Sequence, residues 1–234
     1  MFNKFIGLSM TILWPFDVLT PQHPTFDIAP RSLSGPPSVS GKSQVTSSDA
    51  GIWKASYPEV PVVDAGKILA WRAVANLLEG RLNPILVPLT RFYQPVPDGA
   101  EEAGLYAPVP HSDDAWFSDG TGYISQVIDV ALAGSAPLRA VSATINIAVA
   151  GLIQPGQHFS IDGRLYLLRS VVYTSETDAS ITFRPPLREA ASAGSRLEFD
   201  WPVCRMKLAT DGEMDLPLES GRWGFPSVNF IEDV

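Results

Sequence analysis

The chain has 234 residues, 45% of them hydrophobic and 18% charged, enough for one large β domain or two small lobes around a sizeable core. Its 17 basic and 25 acidic residues leave a net charge of −8, which argues against a general nucleic-acid binder, because phosphate attraction needs clustered Lys and Arg. The single cysteine, Cys204, excludes an intrachain disulfide and a cysteine-built zinc site, while 21 prolines and 18 glycines suit short strands and turns better than a helical bundle.

In chain order, Met1–Phe16 places Lys4 before an apolar run from Phe5 to Trp14, the outline of a secretory leader. No small-x-small site follows, and Pro15 and Asp17 interrupt the run. Met10 is therefore read as the effective start, with residues 1–9 a loose N-terminal extension. No run reaches the ~18 apolar residues that a membrane span needs, so no membrane partner is expected. Ile12–Leu19 reads as a short first strand that Pro15 restricts to a sheet edge. Residues 21–48 are rich in Pro, Ser, Gly and Thr and read as a long arm, with Arg31–Gly41 an extended surface loop or a segment that docks on a neighbouring subunit.

Ile52–Val63 reads as extended, with Trp53, Ala55 and Tyr57 on one face and Lys54 and Ser56 on the other. One amphipathic helix follows over residues 64–79. Asp64 is its N-cap, Gly80 its stop, and Ile68, Trp71, Ala75 and Leu78 form its apolar stripe. Asn83–Phe92 reads as a buried strand. Pro95–Pro110 lacks periodicity and is the best lobe boundary. Val127–Leu132 and Ala143–Ala150 read as strands, the latter with Ile145, Ile147 and Val149 facing one way.

The clearest pattern runs from Leu152 to Leu208. Gln157, His158, Ser160 and Asp162 alternate with Phe159 and Ile161, which predicts a strand with one polar face. Asp162-Gly163 predicts a type I′ turn, because both central residues must take positive φ. Arg164–Leu168 returns as the partner strand. Polar turns at Glu176–Ala179 and Ala193-Gly194 precede further strands, including Arg196–Trp201. In the last of these, Cys204, Met206 and Leu208 face one side and Arg205 and Lys207 the other. Phe225–Ile231 ends the chain as a short apolar strand.

The fold class expected is mainly β, with antiparallel β-barrel or sandwich lobes and one amphipathic helix. The expected division is a lobe over residues 10–98 and a barrel lobe over residues 99–234, with the final strand returning to the first lobe.

Chemistry is sparse. His111, Ser112, Asp113, Asp114, Ser118 and Asp119 make a polar cluster, but adjacent His and Ser are not a triad and no Gly-x-Ser-x-Gly elbow exists. The acidic residues lack the spacing of a calcium loop. Their default role is turn chemistry, with a weak cation site as the alternative. Cys204 reads as a buried inert thiol, and His158 as a surface or interface histidine. The three histidines are too scattered for a metal signature. No catalytic, cofactor-binding or metal-binding residue is assigned, and no enzyme activity is expected.

Three passages carry a resemblance. Pro155–Tyr166 reads Pro-Gly-Gln-His-Phe-Ser-Ile-Asp-Gly-Arg-Leu-Tyr. Phe183–Arg188 reads Phe-Arg-Pro-Pro-Leu-Arg, and Leu197–Leu208 reads Leu-Glu-Phe-Asp-Trp-Pro-Val-Cys-Arg-Met-Lys-Leu. Together with Met10–Leu19, the Arg31–Gly35 loop and Gly80–Pro88, this pattern resembles distal-tail or tail-hub proteins of long-tailed double-stranded DNA bacteriophages. The resemblance implies a structural virion protein assembled in the bacterial host cytoplasm. It implies a closed homo-oligomeric ring, a hexamer in such tails, that links the tail tube to the tail-tip or hub proteins. Some hub proteins hold a cysteine-ligated iron–sulfur cluster, which one cysteine cannot supply, so no cofactor is expected. DNA would pass the lumen without specific binding, for which an acidic wall is suited. The alternative from another class is a carbohydrate- or receptor-binding β-sandwich that displays Trp116, Phe117, Tyr123 and Tyr173.

Overall fold

The structure, a computed structural model, describes residues 12–36, 45–89, 93–97, 108–109, 115, 117–118, 123–124 and 127–234. Among the described residues it is mainly β, 40% strand against 8% helix. The elements are β1 (Ile12–Leu13), β2 (Thr25–Ser34), β3 (Val45–Tyr57), α1 (Ala65–Leu78), β4 (Ile85–Pro88), β5 (Pro108–Val109), β6 (Tyr123–Ile124), β7 (Asp129–Leu132), β8 (Ser142–Val149), β9 (His158–Ile161), β10 (Arg164–Tyr173), β11 (Asp178–Arg184), β12 (Val203–Leu208) and β13 (Val228–Glu232).

The chain forms two compact units. One holds the described residues up to 89 together with Val203–Val234, and the other those from 93 to Pro202. The first unit therefore takes back β12 as well as β13, so the chain crosses over at Val203 rather than with its final strand alone. The reason is register: Met206 pairs with both Ile85 of β4 and Glu232 of β13, which makes β12 a central strand.

The first unit is a six-stranded sheet in the order β1-β4-β12-β13-β3-β2. Only β1 and β4 run parallel. The expected first strand stops at Leu13. Beyond it, the amides of Val18 and Leu19 both turn back to the Pro15 carbonyl, so 16–19 is a turn. Alternation along β3 works as read: Trp53, Ala55 and Tyr57 are buried and Lys54 is exposed. Helix α1 starts where Asp64 Oδ1 accepts from the Lys67 amide at 2.9 Å. It ends with Glu79 and Gly80 at φ 49 and 66. Its buried face is Trp71, Val74 and Leu78, while Ile68 and Ala75 of the expected stripe lie at its margins, half-buried. Trp71 is fully enclosed and its Nε1 donates to the Met214 carbonyl at 2.9 Å, so it anchors the helix.

The second unit carries a five-stranded antiparallel sheet, β7-β8-β11-β10-β9. Its two edges meet the same segment, Ser195–Glu198. Leu197 donates to Val130 at 2.8 Å on the β7 side, and Ser160 donates to Glu198 at 2.9 Å on the β9 side. That segment, read from the sequence as an ordinary strand, bridges the two edges of a sheet curled into a half-barrel, which gives the unit a barrel-like form. Phe159, Tyr166, Phe183 and Phe199 pack within it, with Phe159 centroids 5.5–5.7 Å from the other three rings. Closure also corrects the expected polar face of β9, since Gln157 and Ser160 are buried. Val149 departs in the other direction. Ile145 and Ile147 face the core, but Val149 is 49% exposed at the strand end.

Asp162 and Gly163 take φ 49 and 80, the conformation a type I′ turn demands. Gly163→Val puts a β-branched residue there and is expected to cost roughly 1–3 kcal/mol in urea titration. Unchanged stability would mean the hairpin tolerates a different turn.

Candidate assembly surface

Two features of the first unit stand apart from its packing. The first is the hairpin formed by β2 and β3. The expected arm is largely a ladder, not a loop: Arg31 pairs with Ser48, Ser32 with Ser47, Leu33 with Thr46 and Ser34 with Val45. Residues 37–44 lie outside the described residues. β13 pairs with β3 only from Lys54 to Tyr57. At the next position the Glu232 side chain takes over, its Oε2 accepting from the Trp53 amide at 3.0 Å. Among the described residues no third strand pairs with Arg31–Ser34 or Val45–Ser48. The hairpin therefore runs past the sheet as a two-stranded ribbon, a form that is marginal in water without a surface to lie on.

The second feature is the connection from β12 to β13. Gly224 exchanges hydrogen bonds with Val62, and Val60 donates to Pro226 at 2.9 Å. A Cβ on Gly224 would meet the Pro217 carbonyl oxygen at 2.4 Å, so only glycine lets the two arms of this loop touch. Between those arms lies an open cleft of about 450 Å³, lined by Glu213, Asp215, Pro217, Phe225 and Pro226 among others. Glu213 is locked in place: Oε1 accepts from the Thr210 hydroxyl at 3.1 Å and Oε2 from Asn229 N and Nδ2 at 2.9 Å. Beside the cleft Trp223 and Phe225 are 40% and 48% exposed and pack edge to face at 5.9 Å.

The second unit holds a polar strap. Residues 93–97 lie along the barrel next to β9. The Tyr93 hydroxyl and His158 Nδ1 are 2.9 Å apart, Gln94 Nε2 donates to the His158 carbonyl at 3.0 Å, and Gln157 Nε2 donates to the Tyr93 carbonyl at 3.1 Å. His158 is thus mostly enclosed rather than a surface histidine. Burial, with the Arg184 charge adding to it, lowers its pKa from 6.5 to about 4. A depressed histidine pKa means the unfolded chain binds the extra proton first. Its contribution to stability is complete above about pH 6.5 and is lost as pH falls towards 4. Denaturant titrations at pH 7 and 4.5 are expected to show His158→Gln reducing the pH-dependent loss by on the order of 2 kcal/mol. Equal losses in both proteins would show that His158 is protonated as easily folded as unfolded.

Other residues singled out in the sequence fall in different places. Cys204 is buried, facing inward with Met206 and Leu208 as expected. His23 is exposed, far in sequence from any partner histidine. His111, Ser112, Asp113, Asp114 and Asp119 lie outside the described residues, as does Trp116, while Ser118 is an exposed turn residue. Residues 1–9 are outside them too. Phe117 and Tyr173 are exposed, but the Tyr173 hydroxyl is tied to the Ile153 main chain, accepting from N at 2.8 Å and donating to O at 3.2 Å. That geometry makes Tyr173 a clamp on its own barrel more than a free platform for sugar. Among the described residues no group of three or more His, Cys, Asp or Glu is gathered for a metal, and no helix is long and apolar enough to cross a membrane.

The ribbon and the cleft could not be read from local patterns. The Pro/Ser/Gly content of residues 28–48 masks a strand, and the cleft depends on residues 62 and 224 meeting. The only available hint was Trp223-Gly-Phe-Pro, an aromatic pair around a glycine near the chain end. No family model and no curated protein matches the chain.

Proposed function

We propose that this chain is a structural component of a phage tail, a distal-tail or hub subunit that works by assembling into a closed ring between tail tube and tail tip. The observation that carries the assembly part is the two-stranded ribbon, Arg31–Ser34 against Val45–Ser48, which runs on where β13 has ended. Among the described residues no further strand pairs with this ribbon, and a lone two-stranded ribbon is marginal in water, so its ordering calls for a second surface. The tail assignment rests on the sequence resemblance, with which a β-rich two-unit chain and an acidic net charge of −8 are compatible.

The test compares the full chain with a variant in which residues 31–48 are replaced by an Asn-Gly turn. Sedimentation velocity is expected to give a closed oligomer for the first and a monomer for the second, with the barrel melting unchanged. Monomers for both at tens of micromolar, together with no ring in micrographs of particles containing this chain, would overturn the reading.

A further inference from the structure

We infer that the arm of one copy docks in the Thr210–Ser227 cleft of the next copy, an inference that rests on the ring reading above and names its contact. Charge supplies the first argument. From Ile28 to Ser48 the chain carries Arg31 and Lys42 and no acidic residue. From Ala209 to Ser227 it carries Asp211, Glu213, Asp215 and Glu219 against the single base Arg222; Glu213 and Asp215 line the cleft, and Asp211 and Glu219 belong to the loop that forms it. A basic segment and an acidic cleft on the same chain attract each other between copies, and complementary charge sets register and partner choice more than raw affinity.

Surface chemistry supplies the second. The arm is rich in proline, with Pro30, Pro36 and Pro37, and the cleft offers Phe225 backed by the exposed Trp223. Proline rings and guanidinium planes both lie well on exposed aromatic faces, and an arginine there gains the ring quadrupole as well as the carboxylates.

Direction supplies the third. β3 connects the two features and puts them at opposite ends. Val45, where the ribbon pairs with Ser34, is at its start. Tyr57, which pairs with Val228, is at its end, and Glu59 bonds Ser227 Oγ just beyond. A strand of 13 residues spans on the order of 40 Å at about 3.3 Å per residue. The arm therefore leaves the sheet far from its own cleft and is placed to serve another copy. A contact between two different patches at opposite ends is head-to-tail, the kind that closes into a ring when the rotation permits.

Sedimentation equilibrium of the full chain tests the contact by charge exchange. Arg31→Glu with Lys42→Glu, and separately Asp215→Lys with Glu219→Lys, are each expected to weaken self-association at least about tenfold. Both pairs combined should return it to within about threefold of the starting chain, because the attraction is restored with the signs reversed. All four positions fall outside the stretch that forms the second unit, and circular dichroism should show every variant folded. Should the cleft pair disturb folding, Trp223→Ala is expected to weaken association while removing only an exposed ring. Association unchanged in the arm and cleft pairs, or no rescue on combining them, would overturn the arm-in-cleft contact and leave the ring reading standing. A full chain that never associates would overturn both.

Discussion

Replacing Trp14 by alanine is expected to remove about 3–5 kcal/mol of stability from the first unit. Trp14 is 1% exposed and is the hub of an aromatic cluster, with Tyr57, Trp71 and Phe230 edge-on to it at 5.5, 5.9 and 5.6 Å. Its Nε1 donates to the Leu19 carbonyl at 2.9 Å and so also ties down the turn after β1. Truncation leaves a cavity bounded by rings that are themselves held. The Tyr57 hydroxyl donates to the Pro88 carbonyl, and Trp71 Nε1 to Met214, so neither ring is free to collapse inward. The cavity penalty should thus be close to full. Near-ultraviolet circular dichroism during urea titration reads this unit, and Leu69→Ala on the exposed side of α1 should stay within about 0.5 kcal/mol. A loss below about 1 kcal/mol for Trp14→Ala would show that the cluster is not the unit's core.

Gly151→Ala is expected to destabilise the second unit by about 2–4 kcal/mol. A Cβ at this position would meet the Val96 carbonyl oxygen at 2.2 Å, Val96 C at 2.9 Å and Pro95 C at 3.2 Å. All three are main-chain atoms, so no side-chain rotation relieves the clash. The strap must move instead, which breaks the 2.8 Å bond from Gly151 N to the Pro95 carbonyl. The bonds from Tyr93, Gln94 and Gln157 go with it, because each depends on the strap lying against His158. A second readout follows from the same geometry. With the strap displaced, water reaches the imidazole and the depressed His158 pKa should rise towards 6.5 in an NMR titration. Unchanged stability and an unchanged His158 titration would together show that residues 93–97 do not hold the barrel as described.

These two sites differ in how far they can be read from the residues alone. Trp14 ends an apolar run that reads as leader-like and then as part of an edge strand, so its apolar setting was legible and its core position was not. Gly151 carries no local mark, since its constraint comes from Val96, a distant residue in sequence. The same contrast runs through the candidate assembly surface. The arm was legible as a segment too poor in large apolar residues to fold alone, and the docking role proposed for it starts from that. Its strand pairing was not legible, because proline and serine are weak strand formers and the ladder forms only when both sides of the hairpin are present. The candidate cleft was hidden for a stronger reason: it exists only because Gly224 reaches Val62 and lets Pro217 come close.

What the sequence by itself determined is whatever depends on neighbours a few residues apart. The Asp64 cap, the Asp162-Gly163 turn, the inward faces of β3 and β12, and the predominance of β structure all follow from side-chain period and from local backbone sterics. Tertiary structure alone decided which strands became neighbours. It set β12 between β4 and β13, used Ser195–Glu198 to join β7 to β9, and buried both faces of β9. Those outcomes turn on pairing between segments far apart in the chain. Every strand carries the same unsatisfied N–H and C=O groups, so the ladder itself does not specify a partner. The choice falls to how the apolar faces fill one core, a property of the whole assembled unit that no single stretch encodes.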